Sequence, residues 1–81
     1  MEKEQIIKEL EQIFKSVLEE DDLTISEDME TSDIQGWDSL AHINIIEEIE
    51  KHFNIHIAVG EIVVLKTVGD MVKLIQNKIE Q

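Results

Sequence analysis

The stretch Gly36-Trp37-Asp38-Ser39-Leu40-Ala41-His42-Ile43 decides how the chain is organised, because an aperiodic segment ends there and a helical period begins. Downstream, Ile45, Ile46, Ile49 and Phe53 fall on one stripe, while Asn44, Glu47, Glu48 and Lys51 face away. The pattern predicts a helix from residue 38 or 39 to about 53 with a polar, mostly acidic outer face. Asp and Ser are both N-cap residues, whose side-chain oxygen accepts a bond from the free N–H groups of the first turn, and an isolated Asp-Ser usually does no more than this. A serine placed there, directly after a loop, is also accessible. Unpaired N–H groups and the positive end of the helix dipole suit a phosphate esterified at that point.

Working outward, Ile6, Leu10, Ile13, Phe14 and Val17 lie at helical spacing, widened by Ile7 and Leu18, and predict a first helix over residues 2–19. Residues 19–37 lose the period. A connection of that length is unusual in a compact domain and often functional; Leu23, Ile25, Met29, Ile34 and Trp37 are expected to pin it down. Ile55 and Ile57 alternate with Asn54 and His56 too briefly for a sheet, so an extended connector past Gly60 into a short helix at about residues 61–65 is expected. Thr67 and Asp70 have the spacing of a capping box, and Val68, Met71, Val72, Ile75 and Ile79 complete a last helical stripe. Three longer amphipathic helices and one short one make an all-α four-helix bundle, since each apolar face must bury against another.

The 81 residues, 42% of them hydrophobic, suffice for one small core, so a single domain over residues 1–81 is expected. The chain has no Cys and must rely on packing, which fits a reducing cytoplasm. The start Met1-Glu2-Lys3-Glu4-Gln5 lacks the pattern of a signal peptide, and no apolar run approaches a membrane span. With 19 Asp and Glu against 7 Lys and Arg, the formal charge of -12 repels nucleic acid and anionic membranes and favours partners with basic patches.

Asp38-Ser39-Leu40, the following helix with Ile43, Ile46, Ile49 and Phe53, and Leu65-Lys66-Thr67-Val68-Gly69-Asp70 together resemble the acyl and peptidyl carrier protein family over nearly the whole chain. The resemblance implies that a phosphopantetheinyl transferase moves 4'-phosphopantetheine from coenzyme A onto the Ser39 hydroxyl. The chain then carries acyl groups as thioesters on the arm's thiol and presents them to loading and processing enzymes of fatty-acid, polyketide or related biosynthesis. It catalyses nothing itself; the arm supplies the reactivity. Asp38, Leu40 and His42 are the residues expected beside the arm. Asp38, Leu40, Glu47, Glu48 and Glu50 are those expected to meet basic docking patches on partner enzymes. Asn44 stands where fatty-acid carriers are often acidic, Lys51 interrupts the acidic run, and Trp37 looks more like the stand-alone carriers of specialised pathways.

Other classes fit less well. A hydrolase using Ser39 as nucleophile and His42 as base lacks the G-x-S-x-G elbow and a glycine-rich oxyanion hole. Neither His42, His52 and His56 nor the run Glu19, Glu20, Asp21 and Asp22 has the spacing of a metal site. The competing function is a non-catalytic acidic interaction domain without a prosthetic group. A monomer is expected, on the premise that packing leaves no apolar stripe over. At a charge of -12 the folded chain repels itself, so added salt or divalent cations should raise the thermal midpoint. An unchanged or lowered midpoint would show that the acidic groups are already balanced locally.

Overall fold

The computed structural model describes residues 2–80. Its helices are α1 (Lys3–Leu18), α2 (Ser39–Phe53), α3 (Val59–Ile62) and α4 (Val68–Ile79), with a 3-10 turn at Thr31–Asp33 in the long connection. The expected all-α bundle is therefore present. Ile6, Leu10 and Phe14 of α1, Ile45 and Ile49 of α2, and Val68, Met71, Val72 and Ile75 of α4 are fully buried. These are one stripe from each longer helix, and α1 packs against both α2 and α4. No helix among the described residues is long and apolar enough to cross a membrane.

The long connection is held from two sides. Against α1, the Glu11 carboxylate accepts the Ile25 N–H at 3.1 Å, and Lys3 pairs with Glu27 at 3.0 Å. Against α4, loop carbonyls take up N–H groups that a helix start cannot pair internally. Val68 N–H donates to Met29 C=O at 3.0 Å, and Gly69 N–H donates to Glu27 C=O at 2.8 Å. Asp70 N–H is taken by the Thr67 hydroxyl at 3.1 Å, and the Asp70 carboxylate accepts the N–H groups of Thr67 and Lys66. The capping box read from the sequence is thus in place, and a single antiparallel bridge, Glu30 to Thr67, continues it into the loop. Ile25 and Ile34 are buried beneath this seam, with Leu23, Met29 and Trp37 half-buried around them.

The short helix departs from its expected place. It spans Val59–Ile62 and includes Gly60, where the sequence suggested a start after Gly60. The reason is the Glu61 carboxylate, which reaches back to the Ala58 N–H at 3.0 Å and sets the helix start there. Lys78 of α4 holds the same carboxylate at 2.9 Å. Packing also leaves Leu40, Ile43, Val59, Val63 and Val64 exposed, so the premise that no apolar surface remains is not met.

Three carboxyls are held below their ordinary range: Asp70 by the Lys66 and Thr67 N–H bonds, Glu61 by the Ala58 N–H and Lys78, and Glu9 by His52 across α1 and α2. A carboxyl depressed in the folded state stabilises it above the unfolded value, and that contribution is lost as pH falls through the folded value. Asp70→Asn should therefore lower the thermal midpoint at neutral pH, and the gap to the parent should close as pH drops below the usual carboxylate range. A gap that persists in acid would show that the carboxyl acts through shape alone. Steric room separates two glycines. A Cβ on Gly69 would stand 3.1 Å from the Glu27 carbonyl oxygen that its own N–H bonds, whereas Gly60 has nothing within 4 Å. Gly69→Ala should lose stability despite a helix-propensity gain of about 1 kcal/mol, and Gly60→Ala should keep a gain of that order. Thermal melts of the pair check the sign of each.

Candidate functional site around Ser39

Residues 34–38 bring the chain from the loop seam to the start of α2. Trp37 sets the approach. Its ring meets the buried Phe14 edge-on, with centroids 5.0 Å apart at 89°, and its Nε1–H donates to Nδ1 of His42 at 3.2 Å. Gly36, one residue earlier, has φ +87°, a turn conformation that L side chains rarely adopt.

Asp38 then acts as the N-cap: its Oδ1 accepts the Ala41 N–H at 2.8 Å, and its own C=O accepts the first helical bond, from the His42 N–H at 3.0 Å. The sequence left the cap open between Asp38 and Ser39, and the geometry assigns it to Asp38. Ser39 is the first residue inside the helix and is exposed, free of the capping task. The N–H groups of Ser39 and Leu40 have no intrahelical acceptor and point out of the helix end with the positive end of its dipole. An anion esterified to the Ser39 oxygen meets both. A phosphate-bearing group on this hydroxyl suits the corner, because the free N–H groups and the positive end of the helix dipole favour negative charge there. His42, the one imidazole nearby, presents Nδ1 to an indole N–H and not to the serine.

An open groove of about 520 Å³ adjoins the serine, lined by Thr31, Ser32, Trp37, Asp38, Ser39, His42 and Ile43. Of the three residues expected beside an arm, Asp38 and His42 share the groove with Ser39, whereas Leu40 lies outside it, exposed on the helix surface. Leu40 is 66% exposed and Ile43 55%, and they lie on the same outward stripe as Glu47. Glu47 and Glu48 are exposed on the same helix. Glu50 is placed differently. It is half-buried, and its carboxylate accepts the Ile57 N–H at 2.9 Å and lies 3.4 Å from His56, pinning the connector after α2. No sequence signal marks Thr31 and Ser32, because a 3-10 turn within an aperiodic loop has no period to betray it.

Asp38→Ala removes the cap while leaving Ser39 in place, and should cost on the order of 1 kcal/mol. Chemical denaturation reads the loss directly. A variant as stable as the parent would mean that another group caps α2.

A protein-family model described as "phosphopantetheine attachment site" matches residues 8–75. No sequence among the curated proteins matches the chain. Among solved structures, the chain is similar to the holo acyl carrier protein of Geobacter metallireducens, with 36% identity, 91% of this chain and 85% of that one covered, and a TM-score of 0.85. It is also similar to an acyl carrier protein of Thermotoga maritima, with 25% identity, 99% and 93% covered, and a TM-score of 0.87. Fold, groove and family model thus agree: the chain belongs to the phosphopantetheine-attachment family and is a carrier of the acyl carrier protein type, a non-catalytic protein whose cofactor is 4'-phosphopantetheine.

Proposed function

We propose that Ser39 is the attachment point of the arm and that the chain, as one carrier domain over residues 1–81, presents acyl thioesters to enzymes of fatty-acid, polyketide or related biosynthesis in the cytoplasm. The observation that carries this reading is the exposed Ser39 hydroxyl at the first position of a helix already capped by Asp38. A transferase needs such a hydroxyl, accessible and not spent on a cap. The arm then supplies a thiol that the chain, without Cys, does not have, and the thioester formed on it is the activated acyl donor.

Partner enzymes, including the phosphopantetheinyl transferase, meet α2 through basic patches. Leu40 supplies an apolar contact beside the serine, Asp38 stands at the helix start, and Glu47 and Glu48 carry the charge along the same helix. Such exposed charges act mainly on the rate of encounter and its salt dependence. Glu50 contributes through the connector that it pins. The working form is a monomer, its exposed Leu40 reserved for transient partners.

Incubation with coenzyme A, magnesium and a broad-specificity phosphopantetheinyl transferase should add one phosphopantetheine to the parent and none to Ser39→Ala, as read by intact mass. A well-folded parent that gains nothing would favour an interaction domain without a prosthetic group.

A further inference from the structure

The pair formed by Trp37 and His42 is not explained by attachment alone, since a serine behind an N-cap needs neither an indole nor an imidazole. An indole N–H only donates, so the 3.2 Å bond from Trp37 Nε1 requires Nδ1 of His42 to present its lone pair, and the neutral ring then carries its proton on Nε2. Trp37 is itself held by the edge-on contact with Phe14, whose side chain is fully buried. The core thereby fixes the indole, and the indole fixes both the orientation and the tautomer of the imidazole. His42 lies three residues after Ser39, on the neighbouring position of the helix surface, and both line the same groove.

From this geometry we infer that His42, oriented by Trp37, is a positioning residue that donates a hydrogen bond from Nε2 to the phosphodiester on Ser39 and seats the first part of the arm in the groove. The inference rests on Ser39 being the attachment point. The groove has the chemistry of that segment. The phosphodiester carries a negative charge and accepts hydrogen bonds, which Nε2–H and the hydroxyls of Thr31 and Ser32 can supply; the pantoyl unit beyond it carries two methyl groups, which suit a wall made by Trp37 and Ile43. Asp38 lines the same groove with a negative charge and spends one carboxylate oxygen on Ala41 N–H. A fixed donor in the same groove offsets that repulsion. The consequence is an arm whose root is ordered while its thiol end stays free to reach partners.

The test compares the phosphopantetheine-loaded forms of the parent, His42→Ala, His42→Gln and Trp37→Phe, each with loading verified by mass and folding by circular dichroism. The readouts are the 31P resonance of the phosphodiester, nuclear Overhauser contacts from the pantoyl methyls, and the 15N resonances of His42. In the parent, loading should shift Nε2, and the methyls should show contacts to the Trp37 ring. His42→Ala should move the 31P line and lose the contacts. His42→Gln, which keeps an acceptor for the indole and a donor for the phosphate, should stay near the parent. Trp37→Phe should leave the imidazole as a mixture of tautomers. A 31P line and methyl contacts that are the same in the parent and His42→Ala would overturn the inference while leaving the carrier reading intact. Failure of the parent to load would overturn both.

Discussion

The structure depends on how the start of α4 is satisfied. A helix leaves its first N–H groups unpaired, and here those of Val68 and Gly69 are taken by the carbonyls of Met29 and Glu27, while Thr67 and Asp70 close the rest by a capping box. These bonds join the middle of the long connection to the start of the last helix. A loop of that length costs conformational entropy, and without such ties its path past the core would be free. With them, Ile25 and Ile34 drop into the core, and the chain reaches Trp37 in a defined position. Gly69 is the point of closest approach, where the loop carbonyl leaves little room for a side chain.

What the loop delivers is a division of labour at the start of α2. Asp38 caps the helix, Ser39 is left exposed, and Trp37 links the core to His42. Asp38, Trp37 and His42 each have a structural task, which leaves the serine hydroxyl available, and the unpaired N–H groups of the first turn supply a favourable field for an anion. The acidic, partly apolar outer face of α2 lies beside it. Function here is placement, with the chemistry supplied by the arm and by the enzymes that use it.

Much of this was legible in the sequence. The three longer helices follow from their apolar stripes, and Thr67 and Asp70 announce the capping box through residue type and spacing alone. Ser39 was legible as a candidate because Asp-Ser stands where periodicity begins. The placement of the short helix was not, because the Glu61 bond to the Ala58 N–H outweighs the breaking tendency of Gly60, and no local pattern weighs the two. Glu50 reads as one more outward acid on α2, yet it turns to the connector because the Ile57 N–H lies within reach only in the folded chain. The groove combines a 3-10 turn with residues of α2, a juxtaposition fixed by the ties to α4 that no one-dimensional pattern contains.

With Asp38 as the cap, the proposed attachment leaves Ser39, among all the hydroxyls of the chain, as the one to carry the arm. Fragmentation of the loaded protein by tandem mass spectrometry locates the modified residue. Phosphopantetheine confined to fragments containing Asp38-Ser39-Leu40 is the predicted result. Its recovery on Ser16, Ser26, Ser32 or any threonine would show that capping by Asp38 does not select the attachment site.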